Sequence, residues 1–136
     1  MEQEVETPDL YRVLVVDDRP EIRLLVRTRL RMLDDIDVVG EASNGEEALT
    51  LVSALAPDAV VLDLEMPVMR GDEAIPLMRE LAPGMRIVLY TSANDSVLAD
   101  IGEEAQPDAL VGKSRPLTEL VHQLRAVLEM GPHDVL

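Results

Sequence analysis

Cysteine is absent from the 136 residues, which excludes disulfides, thiol redox chemistry and thiolate zinc sites. Aromatic residues are almost absent as well: there is no Phe or Trp, and Tyr11 and Tyr90 are the two tyrosines. The core must therefore be aliphatic, built from Leu, Val, Ile, Ala and Met. Lysine occurs once, at Lys113, and every other basic side chain apart from the two histidines is arginine. No apolar run approaches the ~20 residues that a membrane helix needs. The acidic start MEQEVETPDL has no apolar signal core, so a cytoplasmic location with no membrane partner is the expectation. Positive charge is scarce: 12 Lys and Arg against 27 Asp and Glu leave a formal net charge of -15. Such a surface repels nucleic acid and anionic membranes, and favours basic partners and bound cations.

What is present is an alternation of two patterns. Short β-branched apolar runs at Arg12–Val16, Val38–Glu41, Ala59–Leu62, Arg86–Tyr90 and Ala109–Gly112 have the length of strands, and most are apolar on both faces, as in a buried parallel sheet. Between them lie stripes with helical spacing: Ile22, Leu25, Val26, Leu30 and Leu33; Ala48, Leu49, Val52 and Leu55; Ala74, Leu77, Met78 and Leu81; a weaker set at Val97, Leu98 and Ile101; and Leu117, Leu120, Val121, Leu124, Val127 and Leu128. Pro20 suits a first helical turn. Ser43-Asn44-Gly45-Glu46 reads as a capping box, Pro57 and Pro83-Gly84 as helix ends, and Pro76 as a distortion within the third helix. Residues 1–9 read as a loose tail, 10–130 as one domain and 131–136 as a second tail. Repeated β-α units imply an α/β fold, with a parallel sheet covered by helices on both faces.

In such sheets ligands bind beyond the carboxyl ends of the strands, and the chemically useful residues fall there. The first strand runs into Asp17-Asp18, the third into Asp63, the fourth into Thr91-Ser92 and the fifth into Lys113. Clustered carboxylates repel one another until one takes a proton or a divalent cation binds. An all-oxygen site of this kind suits Mg²⁺, and carboxylate, Mg²⁺ and lysine together form a phosphoryl-transfer set. A carboxylate, unlike a serine hydroxyl, needs no general base, so Asp63 is a plausible nucleophile. Taken singly, each of these residues reads equally as a solvated turn, a capping pair or an ordinary strand end; their order across the β-α units is what joins them.

Val13–Asp18 (VLVVDD), Leu62–Gly71 (LDLEMPVMRG), Ile87–Ala93 (IVLYTSA) and Val111–Lys113 (VGK) resemble the signatures of response-regulator receiver domains, over roughly residues 11–130. The resemblance implies a CheY-like five-stranded sheet of order 2-1-3-4-5. It implies Asp63 as phosphoacceptor, with Asp18 and Asp63 ligating Mg²⁺ directly, Asp17 reaching it through water, and the backbone carbonyl of Glu65 as a further ligand. Thr91 would be the switch hydroxyl and Lys113 the cationic partner of the phosphoryl group. A sensor histidine kinase or phosphotransfer protein would be the donor, catalysis would extend only to the chain's own phosphorylation and dephosphorylation, and a homodimer could form through the surface of the fourth helix, fifth strand and fifth helix. Three positions depart from the family pattern: Leu110 replaces an aromatic, Ser114 a proline and Gln106 a glycine. These changes bear on how the signal leaves the site.

Other readings are weaker. Gly112-Lys113-Ser114 mimics the end of a phosphate-binding P-loop, but Pro107 occupies the position of that motif's first glycine. An aspartate-nucleophile phosphatase expects aspartate where Glu65 stands. Asn94-Asp95-Ser96 fits a glycosylation sequon by chance. Arg19, Arg23, Arg27 and Arg31 form an i, i+4 stripe that reads as a solvated face or as a docking face for the phosphodonor. Val39–Ala42 (VGEA) and Lys113-Ser114 resemble receivers joined to a helix-turn-helix, so the chain is also readable as part of a longer DNA-binding regulator. No basic recognition helix is present here, so this chain alone is not expected to bind nucleic acid.

Overall fold

A computed structural model describes residues 10–131; the tails expected at 1–9 and, beyond Gly131, at the other end lie outside the described residues. The strands are β1 (Tyr11–Val16), β2 (Ile36–Ala42), β3 (Ala59–Leu62), β4 (Arg86–Thr91) and β5 (Ala109–Gly112). The helices are α1 (Pro20–Arg31), α2 (Gly45–Leu55), α3 (Gly71–Leu81), α4 (Asp95–Ala99) and α5 (Leu117–Glu129), with a 3-10 turn at Glu103–Ala105. All strand pairs are parallel and the order is β2-β1-β3-β4-β5, as the family resemblance implies.

The period of two along each strand divides the core into two layers. Val13, Val15, Val61, Val88, Tyr90 and Val111 face α1 and α5, where Val26, Leu30, Leu120 and Leu124 cover them. Leu14, Val16, Val60, Leu62, Ile87 and Leu89 face the other way, against Val52 of α2 and Ile75 and Met78 of α3. Each side chain of this size that leaves water adds ~1.5–3 kcal/mol of burial free energy, and both faces of the three central strands contribute. The β1–β2 pairing carries a bulge: Val13 faces Val38, but Leu14 faces Gly40.

Several local expectations shift. Leu25 stays 45% exposed while Val26 and Leu30 are buried, so the buried stripe of α1 is narrower than the apolar stripe in its sequence. The α2 cap is Asn44, not Ser43: Asn44 Oδ1 accepts from the Glu47 N–H, and the Glu47 carboxylate accepts from the Ser43 N–H and hydroxyl. Moving the cap by one residue puts Gly45 at the first helical position. There a Cβ would lie 2.8 Å from the Met69 carbonyl oxygen. Pro76 sits inside α3 without ending it. Asn94 caps α4 by accepting from Val97 N–H, which accounts for the asparagine of the sequon. α4 itself is short and buries no residue completely.

Candidate functional site

Because all five strands run the same way, the residues that follow them emerge at one edge. Asp17 continues β1, Asp63 continues β3, Thr91 ends β4 and Lys113 follows β5. Hydrogen bonds carry the sheet one step further and fix these ends: Asp17 N–H donates to Ala42 O, Asp63 N–H to Val16 O and Lys113 N–H to Thr91 O, at 3.1, 3.0 and 2.9 Å.

The side chains then converge. Oxygens of Asp17, Asp18 and Asp63 lie within 4.8 Å of one another. Lys113 Nζ stands 2.7 Å from Asp17 Oδ2 and 3.0 Å from Asp63 Oδ2. Asp17, Asp63 and Thr91 are buried, whereas Asp18 is exposed at the mouth. The second oxygen of each buried acid is also held: Asp17 Oδ1 accepts from Arg19 N–H at 2.9 Å, and Asp63 Oδ1 from Leu64 N–H at 2.8 Å. Thr91 Oγ1 accepts from Ala93 N–H at 3.2 Å.

Burial pushes the Asp17 carboxyl above its ordinary value, although the hydrogen bonds from Lys113 and Arg19 oppose the shift. Burial alone would favour a neutral Lys113; its hydrogen bonds to Asp17 and Asp63 outweigh that and hold the ammonium above its ordinary value. One ammonium therefore answers two buried carboxylates, with a third acid beside them. That surplus of oxygen and negative charge fits a hard divalent cation of the magnesium type, which takes oxygen ligands and keeps waters.

The loop after β3 is shaped by close backbone contact. A Cβ on Gly71 would fall 2.3 Å from the Asp63 carbonyl oxygen, so only glycine lets α3 begin this close to Asp63. Val68, 75% exposed, has φ 68°, and Met69 N–H closes a tight turn onto Pro67 O. This is the left-handed region, which costs a β-branched residue of order 1–3 kcal/mol. Glu65 lies exposed on the same loop.

The α1 arginine stripe proves divided. Arg19 pairs with Glu21 on the surface, while Arg23 and Arg27 both pair with Glu41 at the end of β2. Arg23 NH1 also donates to the Asp17 backbone carbonyl at 2.7 Å. Sequence reasoning missed this contact; the signal was an arginine five residues after Asp18, placed one turn into the helix that opens beside the acidic pair. Leu110 is 46% exposed on β5, beside a groove of about 340 Å³ lined by Thr91, Ala93, Leu98 and Arg115 among others. Gln106 uses its side-chain amide to donate to Ile101 O and Gly102 O, tying down the turn before β5.

The profile of the response regulator receiver domain matches residues 13–125. The chain is 44% identical over 82 residues to the nitrate/nitrite response regulator protein NarL of Escherichia coli, covering 60% of this chain and 38% of that protein. It is 36% identical over 124 residues to a protein-glutamate methylesterase/protein-glutamine glutaminase of Agrobacterium fabrum, covering 86% of this chain and 35% of that protein. The chain thus spans well under half the length of these two relatives. A LuxR-family two-component response regulator from Aurantimonas superposes with a TM-score of 0.82 at 32% identity, over 93% of this chain and 90% of that one. The response regulator domain of Thermotoga maritima CheB superposes with a TM-score of 0.78 at 29% identity, over 88% of this chain and 97% of that one.

Proposed function

The chain belongs to the response regulator receiver family of two-component systems, and from that premise we propose that it is a switch set by magnesium-dependent phosphorylation of Asp63. The observation that carries this reading is the single ammonium of Lys113 bridging Asp17 and Asp63 at 2.7 and 3.0 Å, with the Asp18 carboxylate alongside. Asp18, Asp63 and the Glu65 backbone carbonyl would hold the cation directly and Asp17 through water; when bound, it supplies positive charge against the phosphoryl oxygens.

The chain's own groups supply the rest. A carboxylate oxygen of Asp63 attacks the phosphorus of a phosphohistidine or acyl phosphate. One O–P bond forms as the donor's P–N or P–O bond breaks, and the donor leaves with the electron pair. Lys113 is held charged and offsets the charge on the transferred group. The Thr91 hydroxyl accepts from Ala93 N–H, so it keeps a proton to donate to a phosphoryl oxygen. Moving toward that oxygen would loosen its tie to the β4–α4 loop. Because α4 buries no residue completely, a small change there can repopulate the α4–β5–α5 surface. That surface, with Leu110 exposed upon it, is the proposed face for a downstream protein or a second copy.

The donor is proposed to be a sensor histidine kinase or phosphotransfer protein, in the cytoplasm. Among the described residues, no helix is long and apolar enough to cross a membrane. A second reading, that this receiver works within a longer DNA-binding regulator, is favoured by a match that spans 38% of NarL and by the likeness to a LuxR-family DNA-binding response regulator from Staphylococcus aureus, at 25% identity and a TM-score of 0.78. Intact-mass measurement after incubation with acetyl phosphate and Mg²⁺ tests the main reading. A gain of one phosphoryl group is expected in the native chain, and none in Asp63→Asn or with the metal chelated; a gain in either control would reject it.

A further inference from the structure

The acidic pair is held unequally. Asp17 is anchored at every polar atom: its N–H by Ala42 O, its Oδ1 by Arg19 N–H, its Oδ2 by Lys113 and its backbone carbonyl by Arg23 NH1 at 2.7 Å. Among the described residues the Asp18 carboxylate has no hydrogen-bond partner, and it is exposed. Its direction is therefore inherited from the backbone. The link nearest to it is the Asp17–Asp18 peptide, whose carbonyl is the one Arg23 holds.

Arg23 is built to hold it. It lies just past the first turn of α1, and helical side chains lean toward the N-terminus, which here is the side of β1 and Asp17. A cation near a helix N-terminus opposes the helix dipole, so this placement needs compensation. Glu41 supplies it: Arg23 Nε is 3.5 Å from Glu41 Oε1, and Arg27 grips the other oxygen of the same carboxylate. The Arg23 side chain is 21% exposed and Glu41 28%, so the contact is partly shielded from water. Arg27 shares the helix, the charge and the Glu41 partner, but hydrogen-bonds to neither aspartate.

We propose that Arg23 is a positioning residue: braced by Glu41, it fixes the Asp17–Asp18 peptide and so aims the two carboxylates at a divalent cation. The proposal rests on the magnesium reading above. It makes a prediction of opposite sign to simple electrostatics. Removing a positive charge near an acidic site strengthens cation binding if charge alone matters. Removing a group that orients ligands weakens it, by ~10–100-fold for residues behind metal ligands.

The experiment is calorimetric titration of the full chain with magnesium chloride at low salt, comparing the native chain, Arg23→Gln, Arg27→Gln and Arg23→Lys, with metal-free melting of each. Arg23→Gln should bind Mg²⁺ about tenfold more weakly than the native chain. Arg27→Gln, the charge-matched control, should bind as tightly or more tightly. Arg23→Lys keeps the charge but lacks the planar fork and should also bind more weakly. If Arg23→Gln fails to fold, Arg23→Lys decides: weakened binding supports the proposal and native binding overturns it. Equal or tighter binding by Arg23→Gln overturns it, as does equal weakening by both glutamine variants. A native chain that takes up no Mg²⁺ would overturn the function proposed above along with this inference, which distinguishes the two failures.

Discussion

Replacing Lys113 with methionine keeps an unbranched side chain of similar length and removes the ammonium. Two side chains with 4% and 6% exposure, Asp17 and Asp63, then lose their shared cation at 2.7 and 3.0 Å. Deleting one partner of a buried ion pair costs ~3–5 kcal/mol. A carboxylate can relieve part of this by taking a proton, which places the expected loss near the low end, ~3 kcal/mol at neutral pH. For a domain of this size that lowers the melting midpoint by about 10 °C. The pH dependence follows from the direction of each shift. Asp17 is raised by burial, so its contribution to stability is full below its ordinary value and is lost as pH rises through the raised one. The variant also lacks the Lys113 hydrogen bond that lowers Asp17, so that loss is complete only at a higher pH. The deficit of Lys113→Met should therefore shrink on acidification. Lys113 is itself raised, so the native chain holds its contribution below the ordinary lysine range and loses it above, a limb the variant lacks. Thermal denaturation followed by circular dichroism in chelator, across pH, reads both effects. Equal midpoints at neutral pH, or a deficit unchanged by acid, would refute the reasoning.

Three further substitutions probe the scaffold. Gly71→Ala would press a Cβ to 2.3 Å from the Asp63 carbonyl oxygen, and should cost ~3 kcal/mol, the upper end of overpacking; an unchanged urea midpoint would contradict this. Val68→Gly removes a β-branched residue from φ 68° and should raise the urea midpoint by ~1 kcal/mol of stability after glycine's own entropy cost, whereas a lowered midpoint would mean the turn is not strained. Asp108→Ala removes the carboxylate that accepts from Arg79, Arg86 and the Ile87 N–H, and should cost ~3 kcal/mol because Arg86, with 10% side-chain exposure, keeps its charge in a buried place. A loss below about 1 kcal/mol in chemical denaturation would count against that clamp.

The strands were legible because each run is too short for a helix and most are apolar on both faces, as the central strands of a sheet covered twice require, while the edge strands β2 and β5 keep partly exposed positions. The site was legible because parallel strands put their ends together, so residue order alone brings Asp17, Asp63, Thr91 and Lys113 to one edge. What stayed hidden depends on partners distant in sequence. A charged residue opening β4 looks exposed, yet Arg86 is 8% exposed because Asp108 and Gly131 O receive it. The Arg23–Glu41 contact crosses from α1 to β2, and no local pattern announces it. Leu25 and Val26 are both apolar, and only the packing of α1 against β1, β2 and α5 decides which is buried. The Ser43-Asn44 box was misplaced by one residue because both side chains are competent caps, and the tight approach of Gly45 to Met69 selects between them. Gln106 stood out as a departure from the family pattern, but its bonds to Ile101 O and Gly102 O appear only once the turn is folded.

The central claim is that the phosphoryl group is carried on one particular carboxylate. Borohydride reduces an acyl phosphate on aspartate to homoserine, and peptide sequencing by mass spectrometry then locates the reduced residue. After incubation with acetyl phosphate and Mg²⁺, conversion is expected at position 63 alone, and none is expected without the metal. Conversion at Asp17 or Asp18 instead, or a label that resists reduction and maps to a histidine, would contradict the assignment.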